Sequence, residues 1–178
     1  VGWMVAHTPD AHIRGFLSTN GPHPIRFADL IANDPDQTAA SSYMAGFKDA
    51  SAEALLTPDA LAAILGDILE GDLVDIYKTA WSQPGAITGG LNWYRANELA
   101  PESVTPLFTD LLDEVPVPVR VMWGEDDEFV LSSNAQELEP FAPELEVSLH
   151  PEVDHWIPHR IPGEIANALR ELHDKTKP

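Results

Sequence analysis

Two short segments carry residue types that could do chemistry together, because each follows an apolar, strand-like run. Glu125, Asp126 and Asp127 come after Val117-Pro118-Val119-Arg120-Val121-Met122-Trp123-Gly124, and Asp154-His155-Trp156 comes after Leu145-Glu146-Val147-Ser148-Leu149. In open parallel sheets, functional side chains gather in the loops beyond the carboxyl ends of the strands. A carboxylate in one such loop can fix the tautomer of a histidine in the next and stabilise its charged form, which makes the imidazole a general base. Alone, a histidine after a strand is more often structural or solvated, and three acids in a turn are usually surface. The pairing at two strand ends raises the functional reading above that background.

The elements that must position this pair can be read from the spacing of apolar residues. Val1 to His7 fits the body of an amphipathic helix that ends before Pro9, and His12 to Thr19 is a β-like run stopped by Asn20-Gly21-Pro22. From about Phe27 to Ala80 the pattern is helical. Its clearest piece opens at Thr57-Pro58-Asp59, a capping residue followed by Pro and an acid in the first turn. Leu61, Ile64, Leu65, Ile68 and Leu69 then share one helical face, with Gly71 as the expected stop. Further helices are expected around Leu73 to Ala80 and Leu91 to Asn97. The late strands at 117–123 and 145–149 are separated by an expected helix at Asn134 to Phe141. A last amphipathic helix runs from Pro162 to His173. This order gives an α/β fold, a parallel sheet with flanking helices and an all-helical insert. Residues 1–24 and 104–178 form the expected core, and 25–103 the helical cap.

Composition narrows the partners. The 178 residues suit one domain with an insert, and no apolar run approaches the roughly 18 residues of a membrane span. There are no cysteines, which excludes disulfides, thiolate metal sites and a cysteine nucleophile, and is compatible with a reducing cytoplasm. Twenty-nine acidic residues against ten basic ones give a net charge of −19, which repels nucleic-acid phosphate and anionic lipid. The acids are spread along the chain, as expected of a solvated surface rather than an acidic tail.

The motifs add a resemblance. Trp123-Gly124-Glu125-Asp126-Asp127-Glu128-Phe129 resembles the W-G-x-x-D-x-F segment that carries the acid in epoxide-hydrolase and haloalkane-dehalogenase-like members of the α/β-hydrolase superfamily, with Asp127 in the acid's place. Asp154-His155-Trp156, followed by Pro162, is similar to the same group's G-H-W/F ending; Asp154 replaces the usual Gly and puts an extra charge beside the base. Asn20-Gly21-Pro22-His23-Pro24 resembles the N-x-P-H-P turn that leads into the cap, where His23 is structural. Gln83-Pro84-Gly85-Ala86 and Leu91-Asn92-Trp93-Tyr94-Arg95 resemble the P-G…L-N-W-Y-R segment of soluble epoxide hydrolases, in which Tyr94 matches a ring-opening tyrosine. The stretch from Gln37 through Tyr43 to Phe47 resembles the other cap helix, and Tyr43 matches the second such tyrosine. The chain order in this fold is nucleophile, acid, histidine.

The resemblance implies an aspartate nucleophile that attacks an epoxide while Tyr43 and Tyr94 hold its oxygen, giving a covalent ester. His155, oriented by Asp127, then activates the water that hydrolyses the ester to a diol. Phe47, Trp93 and Trp156 would line an apolar pocket for a small epoxide substrate, and no metal or other cofactor is implied. The alternative for the tyrosines is amphipathic packing with their hydroxyls in water. The chain shows neither H-D-W-G nor G-x-S-x-G, and Val1 to His7 resembles the helix after that elbow. The nucleophile is therefore expected before Val1, on an N-terminal portion that would pair with this chain, or else the chain would form an oligomer. Alternatives are a dehalogenase or serine esterase of the same fold and, in another class, a non-catalytic truncated or degenerate hydrolase.

Overall fold

The computed structural model describes residues 1–177. The chain divides into two compact units, one made of Val1–Ser41 and the residues from Leu99 onward, the other of Ser42–Glu98. The first unit opens with α1 (Gly2–His7), β1 (Phe16–Thr19), α2 (Pro24–Asn33) and α3 (Pro35–Ala40). The second holds α4 (Tyr43–Lys48), α5 (Ala52–Leu55), α6 (Pro58–Leu65), α7 (Asp72–Trp81) and α8 (Ala86–Ala96). The chain then returns to the first unit with α9 (Pro101–Val104), β2 (Val119–Gly124), β3 (Leu145–His150), α10 (Ile157–Arg160) and α11 (Pro162–Lys175). None of the described helices is long and apolar enough to cross a membrane.

The sheet is parallel, in the order β1-β2-β3. The central β2 reads as a nearly unbroken apolar run because both its faces are covered: Val119, Val121, Met122 and Trp123 are all buried. Its exception, Arg120, lies opposite Glu146 of β3 and pairs with it and with Glu171 of α11. Met122, Val153, Ile157 and Ala168 form a core cluster with Leu17, Ile161 and Ile165 packed against it, so α10 and α11 close over the sheet beside the histidine loop.

The structure departs from the pattern-based expectations at several elements. β1 is shorter than the run 12–19, since His12 takes a left-handed backbone (φ 53°) that no strand accommodates. The helix expected at 134–141 is only a 3-10 turn over Ser132–Ala135; Glu137 at φ 57° and Pro140, which lacks an N–H, stop it. α6 ends at Leu65, one turn early, where Gly66 turns left-handed, and Gly71 begins α7 instead of ending α6. The compact second unit spans 42–98, and α2 and α3 cluster with the strand-bearing unit. α3 is separate from α4, so Gln37 and Tyr43 sit on different helices.

Candidate active site

β2 stops at Gly124 and β3 at His150, and the loops that follow bring Asp127 and His155 together. Of the acids in the first loop, Glu125, Asp126 and Glu128 are exposed while Asp127 is buried. Its Oδ1 accepts the backbone N–H groups of Phe129 (2.8 Å) and Val130 (2.9 Å). Its Oδ2 accepts from His155 Nδ1 at 2.7 Å and from Asn20 Nδ2 at 2.5 Å. A buried carboxylate without such donors would carry a heavy desolvation cost; here each oxygen has two. With Nδ1–H committed to Asp127, the basic nitrogen of His155 is Nε2. The His155 side chain is 30% exposed, which leaves that nitrogen within reach of water. Phe129 and Trp156 meet the imidazole edge-on, at ring-centroid distances of 5.6 and 5.3 Å.

The loops can approach this closely because residue 124 has no side chain. A Cβ there would lie 2.3 Å from the Val153 carbonyl oxygen and 2.5 Å from that of Asp154. The charge that Asp154 brings beside the base is met by Arg160, whose Nη2 and Nε donate to its Oδ2 at 2.7 and 3.0 Å, while Oδ1 accepts the Trp156 N–H.

In the second unit, Tyr43 and Phe47 stand one turn apart on α4, and Tyr94 faces them from α8. Phe47 meets Tyr43 and Tyr94 edge-on at 5.2 and 5.0 Å, and the two tyrosine rings are 6.3 Å apart. Trp93 is 46% exposed and touches the edge of Tyr94. α8 is tied to the α4–α5 region by Arg95, which forks onto both carboxylate oxygens of Glu53 and reaches the Asp49 carbonyl. The hydrogen bonds from Arg95 hold the Glu53 carboxyl down to about 2.

His23 is fully buried and lies apart from this chemistry. It stacks on Phe141 at 3.9 Å and faces His7, the two Nε2 atoms 3.1 Å apart. His7 Nδ1 donates to the Leu112 carbonyl, so its Nε2 accepts from His23. Burial, and secondarily His7, push His23 down to about 3. Residue type alone does not mark His7, nor does it mark Asn20 and Gln37, whose amides reach the acid loop. Asn20 carried only a turn signal, and nothing in its neighbours announces a partner 107 residues away.

No protein-family model matches the chain. It is 33% identical over 178 residues to the AB hydrolase superfamily protein YfhM of Bacillus subtilis, an alignment covering 95% of this chain and 60% of that protein. Epoxide hydrolase 3 of Xenopus tropicalis is 24% identical over 193 residues, covering 97% of this chain and 49% of its own length. Among solved structures, an epoxide hydrolase from Bacillus megaterium superposes with a TM-score of 0.83 at 24% identity, over 97% of this chain and 65% of that one. The fold is that of an α/β-hydrolase. The three parallel strands and their helices match its C-terminal part. A metagenomic epoxide hydrolase from hot environments superposes similarly (TM-score 0.79, 27% identity, 96% of this chain and 63% of that one). The chain therefore spans between about half and two thirds of the length of these α/β-hydrolase relatives.

Proposed function

We propose that this chain is the base-bearing and lid portion of an epoxide hydrolase, which opens a small apolar epoxide to a diol through a covalent ester. The acid–histidine pair alone does not choose among hydrolases of this fold, because esterases and dehalogenases use one too. The observation that carries the choice is the aromatic cluster of the second unit, in which α4 and α8 pack Tyr43 and Tyr94 around Phe47. Ring opening turns an epoxide oxygen into a strongly basic alkoxide, and two phenol donors suit that oxygen: both stabilise the growing charge and one delivers the proton. Relatives named epoxide hydrolases, in sequence and in structure, support the same choice.

The reaction runs in two halves. A carboxylate nucleophile on a segment outside these 178 residues attacks one epoxide carbon and forms an ester while the C–O bond breaks. His155 Nε2 then takes a proton from water as the water oxygen bonds to the ester carbonyl carbon, and Asp127 stabilises the resulting imidazolium. The ester C–O bond breaks, the imidazolium protonates the departing diol oxygen, and the carboxylic acid left behind gives up the proton that restores the tyrosine. The completing segment is the proposed partner, since β1 is hydrogen-bonded only to β2 among the described strands and offers an edge to a further one.

The test is diol formation from a panel of aryl and alkyl epoxides by the chain joined to the residues encoded before Val1. Turnover should fall by about two orders of magnitude or more in the Tyr43→Phe/Tyr94→Phe double variant. Undiminished diol formation in that variant removes the tyrosines from the chemistry and, with them, the preference for epoxides.

A further inference from the structure

Asn20 follows β1 with a left-handed backbone (φ 43°) and a side chain turned inward; the residue is 3% exposed. Asparagine tolerates that conformation better than most residues, so the turn alone would account for its presence. The turn does not require what the amide does. Nδ2 donates to Asp127 Oδ2 at 2.5 Å and, at 3.4 Å, to the Asp154 carbonyl; Oδ1 accepts the Gly124 N–H at 2.7 Å. One buried side chain at the end of β1 thereby ties the end of β2, the acid and the loop that bears the histidine.

The oxygen it reaches is the one that also accepts from His155. A donor on a carboxylate oxygen fixes where that oxygen sits and draws off part of its charge, weakening its pull on any other proton nearby. We propose that Asn20 is a positioning residue of the Asp127–His155 pair, holding Oδ2 in line with the imidazole and drawing off part of the charge that the carboxylate turns toward it. As a statement about catalysis this rests on the reading of the pair as acid and base; as a statement about the pair's proton affinity it does not.

On the histidine's own loop and α10, Asp154 and Arg160 are charged and are paired with each other. Phe129 and Trp156 meet the imidazole with their ring edges. Asp127 is therefore the charge through which a change at Asn20 reaches His155.

NMR titration of the His155 ring provides the test, without turnover. Asn20→Gly keeps the left-handed turn and removes the donor. With the donor gone, more of the Asp127 charge faces the imidazole, and the His155 midpoint should move up by roughly half a unit or more. An unchanged or lowered midpoint in a folded variant overturns the proposal, because a purely structural asparagine would alter only stability. In the unmodified chain, the Asn20 side-chain amide protons should shift in step with the His155 titration, a readout independent of how the variant folds; amide protons that ignore that titration overturn it too. If the completed enzyme turns over no epoxide while these shifts are observed, the epoxide reading fails and the role of Asn20 stands.

Discussion

Asp127 and Gly124 show how much a single position can decide here. The acid is selected from its run of neighbours by burial and by four donors, and the missing side chain at Gly124 lets the two loops close on each other. Gly124→Ala would drive a Cβ into the backbone of Val153 and Asp154, atoms that cannot swing aside as a side-chain tip would. The variant should lose about 1–3 kcal/mol, seen as a lower urea midpoint. An unchanged midpoint would mean that the loops have slack at this point. The pair itself was legible in the sequence, because loops after strands and the residues around Trp123 and His155 mark it. The amide that braces it was not, since an Asn before Gly-Pro reads as a turn whichever way its side chain points.

Among the elements, the short α3 matters beyond its length. Asp34 caps it through the N–H groups of Asp36 and Gln37, which presents the Gln37 side chain to the acid loop. Fully buried, Gln37 donates to Ser41 Oγ (2.9 Å) and the Phe129 carbonyl (3.0 Å). Its Oε1 accepts from Leu131 N–H (2.9 Å) and Asn134 Nδ2 (2.7 Å). Gln37→Leu fills the same space and withdraws the polar partners, so it should cost about 1–3 kcal/mol for each backbone group left unsatisfied. The site-specific readout is hydrogen exchange: the amides of Val130 and Leu131 should exchange faster than in the parent, and unchanged protection would show that the loop holds itself. Helical periodicity found most of the helices of the second unit and the start of α6, yet it misplaced the C-terminal end of α6 and proposed a helix at 134–141. In each case a left-handed residue, Gly66 or Glu137, set the boundary, and backbone handedness leaves little trace in apolar spacing.

At the scale of the whole molecule, acid should weaken the fold through an interior group. His23 is held down to about 3 by burial, whereas unfolding returns it to its ordinary value of 6.5. Below 6.5 the unfolded chain gains a proton that the folded chain refuses, so stability falls as pH drops through 6.5 and goes on falling toward 3. Between pH 7.5 and 5.5, before most carboxylates titrate, the urea midpoint should decline, and His23→Phe should flatten that slope by keeping the ring contacts without the titrating group. A parent protein equally stable at both ends of this window would contradict the assignment. The division into two units was only partly legible, because α2 and α3 have the helical composition of the insert while clustering with the sheet.

The crowding of donors on Asp127 bears on proton traffic. Two backbone amides, a side-chain amide and an imidazole occupy both oxygens, so a proton arriving there would have to evict one of them. In the proposed reaction the carboxylate is thus a fixed counter-charge rather than a stop along a relay, and a proton drawn from water at His155 has one residence, on the imidazole, until it leaves.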